Sequence, residues 1–193
     1  MTKSVKTAVN PVIYSDMPDP DVIRVGNTFY MVSTTMHFMP GAVILRSYNL
    51  ADWEIAGHVY DKLEDYGAAR MENGKNIYGS GMWAASLKFY NGKFYVLHIA
   101  NDTHSSYLYT TENVEGPWTQ KKIPGFYYDP GLFFDDDGRI FVVHGNREIR
   151  LTELSEDFTP KAGGLDKVIL RDSDEVPLGY EGSHLRSEEH TSE

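Results

Sequence analysis

Three carboxylates, Asp19, Asp129 and Glu181, stand at the openings of a unit that recurs along the chain. Carboxylates brought together in this way can hydrolyse a glycosidic bond: one acid protonates the leaving oxygen, and one carboxylate activates water or attacks the sugar. A third charge nearby raises the pKa of the acid and keeps its proton at neutral pH. Taken singly, each has a plainer explanation. Asp19-Pro20 and Asp129-Pro130 are turn initiators, and Glu181 beside Gly182 fits a solvated loop. The repetition carries the argument, because like charges gathered at equivalent positions oppose folding and so suggest use. Trp83 and Phe38 lie near unit openings and could stack on the C–H faces of sugars or pack in the core. Trp53 and Trp118, at the closing end of two units, read as core packing.

The elements that must place these groups are short β-branched and aromatic runs cut by Gly, Pro, Asn and Asp. Eight runs read as strands, from Val22-Ile23-Arg24-Val25 to Ile140-Phe141-Val142-Val143-His144. Gly26-Asn27, Asn91-Gly92 and Asp137-Gly138 supply the positive φ of hairpin turns. Residues 19–30 align with 83–95, with one extra residue in the second copy, and again with 129–141; Glu181-Gly182-Ser183-His184-Leu185 opens a fourth. The openings are spaced by 64, 46 and 52 residues, and an antiparallel repeat of about fifty residues marks a β-propeller blade. The Gly- and Asn-rich linker from Asp61 to Gly81 belongs to one rim of such a fold, either as a pocket wall or as a variable surface loop.

Composition narrows the chemistry. The 193 residues hold 18 Lys+Arg against 28 Asp+Glu, a formal charge of −10, and no cysteine. Thiol nucleophiles, disulfides and cysteine-ligated metals are excluded. An acidic chain without a basic run is not a nucleic-acid binder. No apolar stretch approaches a membrane span, and residues 1–7 carry two lysines with no apolar stretch behind them. The expectation is a soluble, cytoplasmic protein with no membrane partner. His58, His98, His104 and His144 lack metal-ligand spacing and read as strand or surface histidines. His184, three residues after Glu181, reads either as a group beside the site or as packing behind it.

Asn10-Pro11-Val12-Ile13, Met17-Pro18-Asp19-Pro20-Asp21-Val22 and Tyr30-Met31-Val32-Ser33-Thr34 together resemble the opening of glycoside hydrolase family 43. Gly81-Met82-Trp83-Ala84, Asp129-Pro130-Gly131-Leu132-Phe133 and Tyr180-Glu181-Gly182-Ser183-His184-Leu185 are similar to its next three blade openings, in order. Pro40-Gly41, after His37-Phe38-Met39, resembles the subsite loop of its β-xylosidase and α-L-arabinofuranosidase members.

The resemblance implies an all-β, five-bladed β-propeller that cleaves terminal β-1,4-xylosyl or α-L-arabinofuranosyl residues from hemicellulose oligosaccharides with inversion. It implies Asp19 as general base, Glu181 as general acid and Asp129 as the group that orients the acid and raises its pKa. Inversion implies Asp19 and Glu181 carboxyls about 6.5–9.5 Å apart. Trp83 would line the sugar subsite with Phe38, and Met36 falls where xylosidases of the family often place an aromatic, which leaves xylose or arabinose preference open. No cofactor is required, though the complete propeller of some members takes an axial ion, with calcium the candidate. Rival readings are a non-catalytic carbohydrate-binding propeller and a retaining fructan-cleaving relative. Oligomeric state is not legible.

The mean spacing puts five blades near 270 residues, so 193 residues amount to about three and a fraction. Residues 1–9 read as a loose N-terminal segment, 10–185 as a partial propeller, and 186–193, polar and without β pattern, as a non-native or disordered tail.

Overall fold

A computed structural model describes residues 8–173, 175 and 177–187. Most of the loose N-terminal segment and of the polar tail expected above (1–7 and 188–193) lies outside the described residues. The described chain is all-β, with twelve strands in three four-stranded antiparallel sheets. The first holds β1 (Asp21–Val25), β2 (Thr28–Ser33), β3 (Gly41–Ser47) and β4 (Glu54–Tyr60). The second holds β5 (Met82–Tyr90), β6 (Lys93–Ala100), β7 (Ser105–Thr111) and β8 (Thr119–Ile123). The third holds β9 (Gly131–Phe134), β10 (Ile140–His144), β11 (Glu148–Leu154) and β12 (Asp166–Arg171). Within each sheet every strand pairs with its neighbour in sequence.

The expected hairpin dipeptides join β1 to β2, β5 to β6 and β9 to β10. The two tryptophans do not close their units: Trp53 and Trp118 immediately precede β4 and β8, an outermost strand in each case. Of the four strands that the expected runs miss, β8 and β12 face water, whereas β4 buries Val59 and Tyr60 and β11 is an inner strand interrupted by charged residues. β8 is Thr-Gln-Lys-Lys-Ile with only Ile123 buried, and β12 has no buried residue.

The second sheet buries both faces, and the two-residue period of its strands divides its side chains. Val96, Tyr107 and Tyr109 pack with Val32, Ile44 and Tyr60 of the first sheet. Leu97 and Leu108 turn the other way, onto Leu132, Val142 and Leu154 of the third. Leu97 is fully buried, and burying a leucine stabilises the fold by about 1.5–3 kcal/mol.

The sheets also join at their first strands, where β1 contacts β5 and β5 contacts β9. These strands are sheet edges, and side chains satisfy their free donors. The buried Asp21 carboxylate accepts the Leu87 N–H at 2.8 Å, while Ser86 Oγ accepts the Leu132 N–H at 3.0 Å. This seam places the three unit openings beside one another.

Candidate active site

Asp19 and Asp129 leave the chain in the same way. Each precedes a proline and a first strand, and each takes a left-handed backbone, φ 49° and 48°. A non-glycine residue in that region is uncommon, and Asp is among the side chains that tolerate it. The Asp19 turn is pinned from β2: Ser33 Oγ and the Thr34 N–H both donate to the Pro18 carbonyl, at 2.6 and 3.1 Å.

In the second sheet the equivalent place belongs to Ala84. Counting back from the hairpin, Val25 and Tyr90 correspond, which sets Ala84 opposite Asp19. The extra residue of the second unit is a bulge: the β5–β6 register shifts between Trp83 and Ala85. Ala84 therefore lines the cavity, and Trp83 is turned so that its indole N–H donates to the Gly79 carbonyl at 2.9 Å.

Glu181 is held differently, in an irregular segment stitched to the third sheet. The Arg147 N–H donates to the Tyr180 carbonyl at 3.2 Å, and the Arg147 guanidinium to the Pro177 carbonyl at 2.8 Å. Asn146 Nδ2 donates to the Glu181 carboxylate at 2.5 Å and to the Leu178 carbonyl at 3.0 Å. Gly179, at φ +80°, makes this fit: a Cβ there would stand 2.6–2.8 Å from the side chains of Arg147, Asn146 and Asp172.

Asp19, Asp129 and Glu181 meet in one cavity of about 290 Å³, with Ala84 and His184 in its wall. Burial pushes the Asp129 carboxyl up to about 6, reinforced by the Glu181 and Asp19 charges and opposed by the Gly182 N–H. Asp129 therefore holds its proton to a higher pH than an ordinary aspartate and is ionised at pH 7. The Tyr128 phenol, beside Glu181, is pushed up to about 12 by burial and then by Asp129, Glu181 and Asp19, so it stays a donor. Sequence reasoning missed Tyr128 and Asn146. Tyr128 could have been noticed as the neighbour of Asp129, whereas nothing in Gly145-Asn146-Arg147 announces a contact with Glu181.

Met36 and Phe38 are not gathered with the carboxylates. They line a separate apolar hollow of about 260 Å³ with Met17, Pro18 and Ile55, on the other side of the Pro18-Asp19 turn, Pro18 lining the hollow and Asp19 the carboxylate cavity. Met36 makes a two-hydrogen-bond bridge to Met82, and the Phe38 ring lies 4.3 Å from that of His37. His37 also accepts the Gly79 N–H at 3.2 Å and meets Tyr78 edge-on at 4.9 Å. The Asp61–Gly81 linker therefore reaches the Phe38 loop at one end. At the other, the Tyr66 and Tyr107 hydroxyls donate to Asp102 and Glu64, and Lys122 donates to Glu64 at 2.9 Å.

Of the histidines set aside above, His98 and His144 lie in strands and have partners. His98 Nδ1 is 3.0 Å from the Ile99 carbonyl, and His144 Nε2 is 2.9 Å from Thr152 Oγ1. No group of three or more His, Asp or Glu among the described residues is placed to hold a metal. Among the described residues no helix is long and apolar enough to cross a membrane.

A β-xylosidase of Formosa agariphila is 33% identical over 68% of this chain and 22% of its own length. A non-reducing end α-L-arabinofuranosidase of Bacteroides ovatus is 31% identical over 74% of the chain and 27% of its own length. A bifunctional GH43-CE structure from Bacteroides eggerthii superposes with a TM-score of 0.89 at 40% identity, covering 94% of this chain and 24% of that one. The xylan β-1,4-xylosidase structure from Bacillus halodurans superposes at 0.76 with 29% identity, over 94% of this chain and 37% of that one. The matches span 22% to 36% of the length of the curated relatives. The model of the glycosyl hydrolases family 43 matches residues 8–190, and with this fold and these relatives the chain belongs to glycosyl hydrolase family 43.

Proposed function

We propose that the protein carrying this chain is an inverting glycoside hydrolase that removes terminal β-1,4-xylosyl or α-L-arabinofuranosyl residues from hemicellulose-derived oligosaccharides. The observation that carries this reading is the meeting of Asp19, Asp129 and Glu181 in one cavity, with Asp129 raised to about 6. A lectin gains nothing from gathering three like charges in one cavity; a glycosidase needs an acid and a base there together. The xylosidase and arabinofuranosidase names of the relatives supply the substrate class. Three sheets in chain order, joined at their first strands, support a five-bladed propeller of which this chain forms three blades and the start of a fourth.

In this mechanism Asp19 is the base. It takes a proton from water as the oxygen attacks the anomeric carbon, while Glu181 gives its proton to the leaving oxygen as the glycosidic bond breaks. Asp129 keeps negative charge beside Glu181 and favours the protonated acid. Asn146 and Tyr128 direct donors at Glu181 and fix its carboxyl in the cavity. Phe38, Met36 and Trp83 would contact the sugar from the linker side.

The test is to follow the anomeric proton by NMR while the native protein cleaves an aryl β-xyloside and an aryl α-L-arabinofuranoside. Inverted product is expected from at least one of them. Initial release of the retained anomer would remove Asp19 from the role of base and make it a nucleophile.

A further inference from the structure

The cavity wall holds one titratable side chain besides the three carboxylates: His184. Its position is built from two sides. Gly131 clears room for it, since a Cβ there would fall 2.3 Å from the Ser183 carbonyl oxygen and 3.2 Å from the His184 Cα. Behind the ring, His184 Nδ1 lies 3.8 Å from Asp21 Oδ2. That carboxylate is 3% exposed and cannot turn away, because the Leu87 N–H and Lys88 Nζ hold it at 2.8 and 3.1 Å.

The charges facing the imidazole are Asp21, Lys88 and Arg186, with Asp19, Asp129 and Glu181 sharing the cavity. Burial lowers the His184 pKa, Asp21 raises it, and Lys88 and Arg186 lower it further; the net direction is down, so the ring is neutral at pH 7. A neutral imidazole carries one proton, and a fixed negative oxygen on the Nδ1 side favours it there. Nε2 is then an acceptor. It makes no hydrogen bond to a described residue, and the side chain is 29% exposed.

We propose that His184 is a substrate-positioning residue of the carboxylate cavity: held through Asp21 with its proton on Nδ1, it offers Nε2 as acceptor to a sugar hydroxyl. The idea rests on the glycosidase reading for its ligand class, pentoses, and on the position, burial and charged neighbours of the imidazole. Toward the sugar Asp21 acts only through His184, as the residue that selects the tautomer, while its bonds to Leu87 and Lys88 hold β1 to β5.

The test uses the native protein with ¹⁵N-labelled histidine, the His184 signals being assigned by their loss in His184→Phe. At pH 7 the Nδ1–H tautomer is expected, with the Nε2 resonance shifting on titration with D-xylose or L-arabinose. Asp21→Asn should mix the tautomers. His184→Phe should raise KM by about 3- to 10-fold, the size of one hydrogen bond, with little change in kcat. An Nε2–H tautomer, or an Nε2 resonance unmoved by saturating amounts of both sugars, overturns the proposal. The assignment is repeated with His184→Gln, so that it does not depend on one variant folding. Hydrolysis with a silent Nε2 leaves the glycosidase reading standing without this one. A pentose-responsive Nε2 in a protein that cleaves neither aryl glycoside does the reverse.

Discussion

Asp19 and Asp129 on one side, and Glu181 on the other, reach the same cavity by different means. The two aspartates repeat one backbone solution: Asp-Pro, φ near 50°, then the first strand of a sheet. Their positions follow from how the sheets pack, so the core beneath them also places them. Glu181 lies outside regular strand and depends on Asn146, Arg147 and a glycine at 179. The proposed base is thus fixed by the core and the proposed acid by local stitching, and the two should be separable by mutation.

The largest effect tests the roles themselves. Asp19→Ala and Glu181→Ala should each lower hydrolysis of natural disaccharides by about a thousandfold, within the range of general acid–base catalysis. Only Glu181→Ala should retain much of its activity on aryl glycosides with good leaving groups, which need no protonation. Equal losses on both substrate types would remove Glu181 from the acid role.

Gly179→Ala tests the stitching. Its Cβ collides with side chains that hold the acid segment, at a backbone angle alanine resists. A loss of about tenfold or more in kcat on disaccharides is expected, smaller on activated aryl substrates. Thermal melts should show little change, because the segment contributes nothing to the buried clusters between sheets. A large drop in Tm would mean the segment is part of the core after all.

Asn146→Ala removes one donor from Glu181, and a hydrogen bond to a protonated carboxyl is worth about 0.5–1.5 kcal/mol. A kcat loss of about tenfold, again greater on disaccharides, would match that figure. An unchanged kcat would show that Tyr128 suffices to place the acid.

The smallest effect concerns stability. Asp129 is raised to about 6 in the fold against 3.8 for an ordinary aspartate, so folding binds extra protons between those values and stability falls as pH rises through them. Above pH 6 the whole penalty is present; below about pH 4 it is gone. Asp129→Asn should therefore abolish hydrolysis and yet stabilise the protein at pH 7 by about 1 kcal/mol, a figure reduced for the group's partial exposure. Chemical denaturation at pH 7 and pH 4 checks this, and a gain that persists at pH 4 would contradict the proposed origin.

What the sequence makes legible follows the same division. Eight of the twelve strands are visible because their runs are apolar, and the aspartates are visible because the repeat marks equivalent places. β8 and β12 are hidden by their exposure: Lys121 and Lys122 on β8 carry no burial signal. β11 is an inner strand yet hidden, because Glu148, Arg150, Thr152 and Glu153 interrupt its apolar residues, and β4 is hidden because Ala56, Gly57 and His58 interrupt its run before the buried Val59 and Tyr60. Trp83 stands out by residue type, but only the bulge at Ala84 shows where it points. Asn146 and Arg147 are unreadable because their partners, 30 to 35 residues away, are carbonyls and one carboxylate, which impose no pattern on sequence.

The strict nearest-neighbour pairing of strands within each sheet bears on how the chain comes to be folded. Every ladder closes over a short loop except where one sheet gives way to the next, so little chain entropy is lost per strand added. Each sheet can zip up as a local unit, and only the docking of one sheet's face on another requires distant segments to find each other. Pulse-labelled amide exchange should then show β6 and β7 gaining protection together. The Leu87 and Leu132 amides, whose acceptors lie on other units, should follow later.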